Sequence, residues 1–332
     1  MKINKNLQNL ESYSVEVVDG SIERCHSNES KKPILPSEIL MRNAFQNLNY
    51  YPEEKYNNLI IEASKFYKIN PDFIIPVNGS DEGLDLIIRS FCNVSDGIIV
   101  LNPTFSMYKQ YAIACGLKII DFNLDDYFEL NIDNFISCCS KNNLKIVFIP
   151  NPLAPSGGVT KQDSLIKFIV NLSETFIVIV EAYFEFSDEE SMINLLSKYK
   201  NLIVTRTLSK FFGLAGIRLG FVFTQYKNEI MKIKLPYNVN QVSCQIGINL
   251  FENLTPDIIG NRYNQNKVNK EQMIAFLKQF NEIEQIYPSY TNFVFIELNC
   301  DSKLFSKKLL EEFNIKIKTF SGKFEKFCRI SY

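Results

Sequence analysis

Along the middle of the chain, segments with helical spacing of apolar residues alternate with short runs that are apolar almost throughout. Leu59, Ile60, Ala63 and Phe66 recur at helical intervals, and Leu84, Ile87, Ile88 and Phe91 do so again. Ser80 and Asp81 stand ahead of the second set as candidate N-terminal caps. The runs at 98–101, 118–122, 145–150, 176–180, 202–204 and 219–223 are strand-sized, and a helical stretch at 165–172 separates two of them. Near-continuous apolar strands alternating with helices predict an α/β fold, a mostly parallel sheet covered on both faces. Ligands of such sheets bind at the carboxyl ends of the strands.

After about Pro236 the pattern changes. A long helical region extends to roughly Phe280, followed by a strand-like run at 292–297, a helix at 302–313 and short strand-like pieces at 315–318 and 327–330. This predicts a large domain over 35–235 and a smaller α+β domain made of 236–332 with the N-terminal segment 1–34. The lysines between Lys303 and Lys326 read as the solvated face of the smaller domain.

A chain of 332 residues agrees with that division into about two domains. The formal charge of −1 gives no sign of a nucleic-acid or membrane-surface partner. His26 is the single histidine, which argues against a multi-histidine metal site. None of the eight cysteines forms a CxxC pair; Cys92, Cys115 and Cys244 lie in apolar contexts and read as buried free thiols. A reducing, cytoplasmic location fits that usage. The N-terminal residues show no apolar signal core, and no apolar run approaches the roughly 20 residues needed to span a bilayer.

Two segments carry candidate chemistry. Asn78-Gly79-Ser80-Asp81-Glu82 joins an apolar run to a helix; a glycine turn and unpaired helix N–H groups can hold a phosphate there, although a plain helix start has the same residues. In the block from Thr205 to Gly220, Lys210 follows a strand and two hydroxyl residues, Thr207 and Ser209, and Arg218 comes eight positions later. An amine of this kind can form a Schiff base with an aldehyde, and hydroxyls with a guanidinium suit a phosphate.

On these residues the chain resembles the class I/II aminotransferases of fold type I, which use pyridoxal phosphate (PLP). Within them it is similar to histidinol-phosphate aminotransferases and the related amino-acid-phosphate decarboxylases. The matching segments are NGSDEGLDLIIRSF, NPTFSMY, NPLAPSGG, VEAYFEF and RTLSKFFGLAGIRLGF, in the family's order. The resemblance implies that Lys210 forms the Schiff base and moves the proton. It implies that Ser80, Asp81, Thr207, Ser209 and Arg218 hold the cofactor phosphate. Phe105, where the family usually has Tyr, would stack on the ring, and Tyr183 would bond the ring hydroxyl. Tyr51 matches a residue that reaches the neighbouring subunit's phosphate, which implies a homodimer with shared sites. Arg329 would bind the substrate's carboxylate or phosphate, with Lys318 where a second Arg often stands and Asn28-Glu29 near the substrate entrance. Tyr13 is a further candidate for lining the site.

Three departures accompany the resemblance. Val180 replaces the Asp that keeps the pyridine nitrogen protonated, and Ala154 replaces an Asn that bonds the ring hydroxyl. Glu181 is a poor stand-in, because successive strand residues point to opposite faces. The chain also stops at Tyr332, where family members usually add a closing helix, so part of the smaller domain is expected to be more exposed. Three functions follow: an aminotransferase passing an amine to a keto or phosphorylated acceptor, a decarboxylase of a phosphorylated amino acid, or a non-catalytic protein on the same fold.

Overall fold

The computed structural model describes residues 3–8, 10–12 and 20–332; Tyr13 lies outside the described residues. In chain order the strands are β1 (Glu23–Cys25), β2 (Ile74–Val77), β3 (Gly97–Asn102), β4 (Lys118–Asn123), β5 (Leu144–Pro150) and β6 (Phe176–Val180). They continue with β7 (Leu202–Thr207), β8 (Gly220–Phe223), β9 (Ile283–Ile286), β10 (Phe293–Leu298), β11 (Ile315–Thr319) and β12 (Phe327–Ser331). Seven form one sheet in the order β2-β8-β7-β6-β5-β3-β4. Every pairing in it is parallel except the two made by β8.

The apolar runs are continuous because both faces of this sheet are buried. In β6, Ile177 and Ile179 join one core while Val178 and Val180 join the other. Helices Gly79–Phe91 and Met107–Ala114 cover one face through Leu84, Ile87, Ile88, Tyr108 and Ala112. Helices Asn57–Tyr67, Ile132–Asn142, Gln162–Asn171 and Gln241–Asn253 cover the other. The α/β architecture read from the pattern is the one observed.

The second sheet runs β1-β11-β12-β10-β9, with β1 parallel to β11 and the rest antiparallel. Val294, Ile296, Cys328 and Ile330 face helix Ser302–Phe313, while Phe295 and Phe327 lie in an aromatic cluster with Phe128 and Tyr287. Arg329 and Ser331 share the face of Phe327 by the two-residue period. Lysines 303, 307, 318, 323 and 326 are exposed, as a solvated face requires.

Three sequence readings are corrected. The long helical region is two helices, Gln241–Asn253 and Pro256–Leu277. The second starts at a proline whose missing N–H costs nothing there, with the Thr255 hydroxyl accepting from Ile258 N at 3.3 Å. Ser80 and Asp81 are not caps: the N-cap is Asn78, and both lie inside the first turn of Gly79–Phe91. Cys92 and Cys115 are half-buried, whereas Cys244 is buried; all eight cysteines are free. Burial pushes the Cys92 and Cys244 thiols up to about 12. Helix Gln241–Asn253 gives Cys244, Ile246, Leu250 and Phe251 to the core of the large sheet. Helix Pro256–Leu277 touches that core through Ile258, Ile259 and Tyr263, and the other through Met273, Ile274 and Leu277. We propose that the two domains divide within this helix rather than at 235/236. Among the described residues no helix is long and apolar enough to cross a membrane.

Candidate functional site

The carboxyl ends of β6 and β7 meet the start of helix Gly79–Phe91, and the conspicuous motifs collect there. Asn78 takes the N-cap, and its N–H donates back to the Glu82 carboxylate, so the loop is folded onto its own helix. Gly79 has φ +76°, and a Cβ on it would stand 2.3 Å from Arg218 Nη2. Gly220 in β8 is equally constrained, since a Cβ there would lie 2.7 Å from Ser80 N. Both glycines therefore let the helix start and Arg218 come together.

The polar cup is a chain of contacts. The Thr207 hydroxyl donates to Ser209 Oγ at 2.9 Å, and Ser209 N donates to Thr207 Oγ1 at 3.1 Å. Arg218, itself in the left-handed region at φ +53°, directs Nη1 at Ser209 Oγ (3.5 Å) and Nη2 at Asp81 Oδ2 (3.4 Å). Ser80, Asp81, Thr207, Ser209 and Arg218, five residues drawn from two distant stretches, are thus assembled. Two hydroxyls, a guanidinium and the unpaired N–H groups of a helix start fit a phosphate. Gly79→Ala is expected to push the Arg218 guanidinium away and weaken PLP binding about tenfold, the worth of one hydrogen bond to a charged group. An absorbance titration would measure it.

Lys210 lies beside the cup. Its Nζ donates to Ser27 O at 3.0 Å and stands 5.9 Å from the centre of the Tyr183 ring. The backbone of Lys210 is pinned separately, its carbonyl accepting from Ser30 Oγ at 2.6 Å. Tyr183 OH accepts from Asn28 Nδ2 at 2.8 Å. Asn28 has φ +56° and is buried; its N–H donates to Ser331 Oγ (3.0 Å), its Oδ1 accepts from that hydroxyl (2.9 Å), and its carbonyl accepts from Asn292 Nδ2 (3.0 Å). The segment 27–30 therefore ties the small sheet to Tyr183 and Lys210. The sequence pointed to Asn28 but had no local signal for Ser331 or Asn292.

Arg329 and Lys318 are register partners across β11 and β12, which sets two cations side by side on one sheet face. Arg329 Nη2 donates to His26 O at 2.7 Å, and its guanidinium lies 5.2 Å from the centre of the Phe293 ring. Tyr183 meets the same ring edge-on at 5.2 Å, so Arg329, Phe293 and Tyr183 are continuous. Phe105 is half-buried and edge-on to Tyr108, which stacks on Phe148. Tyr51 is 79% exposed and stacks on Tyr237 at 4.6 Å, well out on the surface.

The two substituted positions are apolar in fact as well as in name. Val180 belongs to a buried cluster against which Phe105 and Ala182 pack, and Ala154 packs on the other core. Glu181 points the opposite way, into a buried ion cluster the sequence did not reveal. Its carboxylate accepts from Arg206 Nε (2.8 Å), Ser191 Oγ (2.8 Å) and Met192 N (2.8 Å), and Arg206 Nη1 donates to Glu185 at 2.7 Å. Burial pushes the Glu185 carboxyl up although Arg206 opposes it. Burial also acts to lower Arg206, but Glu181 and Glu185 more than offset it and hold that guanidinium charged. An Arg inside an otherwise apolar strand was the available clue.

Comparison with known proteins identifies the family and the fold. The family model described as aminotransferase class I and II matches residues 25–332. A histidinol-phosphate aminotransferase of Clostridium kluyveri is 34% identical over 333 residues, covering 98% of this chain and 93% of its own. The crystal structure of the histidinol-phosphate aminotransferase from Clostridium acetobutylicum superposes with a TM-score of 0.84 at 25% identity, over 93% of this chain and 94% of that one. The enzyme of the same name from Sinorhizobium meliloti, solved in complex with pyridoxal-5'-phosphate, shares the fold with a TM-score of 0.88 at 20% identity, over 99% of this chain and 92% of that one.

Proposed function

From the premise that this chain belongs to the class I and II aminotransferase family, as a PLP-dependent enzyme like the histidinol-phosphate aminotransferases, we propose that it moves the amino group of a small phosphorylated amine to a keto acid. The observation that carries the substrate class is the Lys318–Arg329 pair, two cations abreast beyond Tyr183 from Lys210. A phosphate or carboxylate answers such a pair.

When bound, PLP supplies an aldehyde for the substrate amine and a ring that draws electrons from the substrate carbon. The residues of this chain do the rest. The side chains of Thr207, Ser209 and Arg218, with the helix-start N–H groups of Ser80 and Asp81, would hold the phosphate. Lys210 Nζ is the amine that would hold the aldehyde and, once displaced by the substrate amine, would carry the proton. Phe105 covers one ring face. Tyr183, oriented by Asn28, would present its hydroxyl to the ring oxygen. Arg329 and Lys318 hold the substrate's anionic end, and closure of segment 27–30 over Lys210 keeps water from it.

A second copy of the chain completes the site in this reading. Leu48, Tyr50, Tyr51 and Tyr237 line one exposed apolar hollow of the kind that pairs protomers. Sedimentation is expected to give twice the 38.4 kDa chain mass. Eight free thiols support a reducing, cytoplasmic location.

The test is amino transfer from histidinol phosphate to a keto acid, followed with wild type and Lys210→Ala. Lys210-dependent transfer is the expected result; carbon dioxide release from a phosphorylated amino acid would replace it with the decarboxylase. Arg329→Ala is expected to raise KM for the phosphorylated amine about tenfold or more while kcat changes little, since a charge-assisted contact to a remote group is lost.

A further inference from the structure

The site's polar groups are gathered at one end. In PLP the aldehyde carbon and the phosphate arm sit on neighbouring ring positions, and the nitrogen lies directly across the ring from the aldehyde. With the phosphate in the cup and the aldehyde at Lys210, the nitrogen would be turned away from both, and the strand end beside the cup offers it Val180, which pairs with Thr205 two residues before Thr207. Val180 closes β6 on the face where Phe105 and Ala182 pack against its cluster, so the strand end presents an apolar side chain there.

The carboxylates around the site are committed elsewhere. Asp81 answers Arg218 at the phosphate end. Glu181 and Glu185 are held by Arg206 on the opposite face of the strand ends. The polar group nearest in register to Val180 is Thr205, its partner across β6 and β7. Thr205 is wholly buried, and its Oγ1 has no hydrogen-bond partner. A hydroxyl can donate to a lone pair, but it has no charge with which to keep a proton on the nitrogen. An apolar wall disfavours a charged ring.

We propose that this enzyme binds PLP with its pyridine nitrogen unprotonated, and that Val180 is the residue that sets this state. The inference rests on the cofactor reading above and deepens it. The ring would then draw electrons more weakly, so Lys210 as base and the substrate carbon's own acidity would carry more of the reaction.

The test compares equilibrium binding of PLP with that of its deaza analogue, in which a C–H unit replaces the ring nitrogen. Wild type is expected to bind the two within about threefold, because no charge-assisted hydrogen bond to the nitrogen distinguishes them. Val180→Asp is expected to prefer PLP by about tenfold or more. A wild-type preference of that size would overturn the proposal. The solid-state nitrogen resonance of isotope-labelled PLP on wild-type protein needs no variant: a pyridine-like resonance supports the proposal, and a pyridinium-like one overturns it. Lys210-dependent visible absorbance reports separately on the cofactor reading. If neither ligand bound, that reading would fall and this inference with it; if both bound with a clear preference for PLP, the inference alone would fall.

Discussion

Lys210→Ala is expected to abolish the visible band that depends on the Lys210–PLP bond and to reduce amino transfer by roughly four orders of magnitude, the upper range for losing a positioned proton carrier. The variant should still fold. The Lys210 side chain makes one hydrogen bond, to Ser27 O, while its backbone remains held by Ser30. A loss of about 1 kcal/mol in stability is therefore expected. The phosphate cup also survives, so PLP should still be retained weakly and without covalent attachment. Equilibrium dialysis beside the absorbance spectrum separates these effects. Lys210→Arg tests charge against chemistry: it keeps the cation but supplies no amine nucleophile, and it should be as inactive as the alanine variant.

The largest effect on stability is expected at Arg206. Its side chain is 5% exposed and neutralises Glu181 and Glu185, which are equally buried. It also stacks over Phe184, with the guanidinium carbon 4.0 Å from the ring centre. Arg206→Ala leaves two buried carboxylates without their partner, at a cost of about 3–5 kcal/mol in urea unfolding. Adding Glu185→Gln should restore part of the loss by removing one stranded charge. The effect depends on pH. Glu185 already binds its proton more readily folded than unfolded. Its contribution is therefore complete below the ordinary carboxylate value and declines as pH rises through its raised folded value. Without Arg206 that folded value rises further, so the deficit of Arg206→Ala should widen from about pH 5 to about pH 8. Unfolding curves at the two pH values measure this directly.

How far the sequence could be read depends on how local each signal is. The strand at 176–180 was legible because five apolar residues in a row suit a strand buried on both faces. The outward turn of Glu181 followed from the two-residue period alone. The group around Lys210 was legible as a motif, since its residues lie within a dozen positions of one another. Arg206 was read only as part of that motif, because its partners Glu181, Glu185 and Ser191 come from another strand end. The strand at 23–25 was missed: Glu-Arg-Cys has no apolar period and is a strand only through its pairing with 315–317. The break at Thr255-Pro256 was visible as a proline, but helical spacing on both sides concealed it.

That pairing of the first strand with a late one governs the order in which the protein can be assembled. Asn28 receives its position from Ser331, 303 residues later in the chain. During synthesis the large sheet can close once Phe223 has emerged, because β8 is its last strand to be made. Residues 23–30 must then wait for nearly the whole remaining chain before they have a sheet to join. Lys210 and the phosphate cup are complete well before the segment that bonds Lys210 is fixed. A newly made large domain thus presents Lys210 without the segment that contacts it, and that segment is fastened by residues made long after the large sheet has closed.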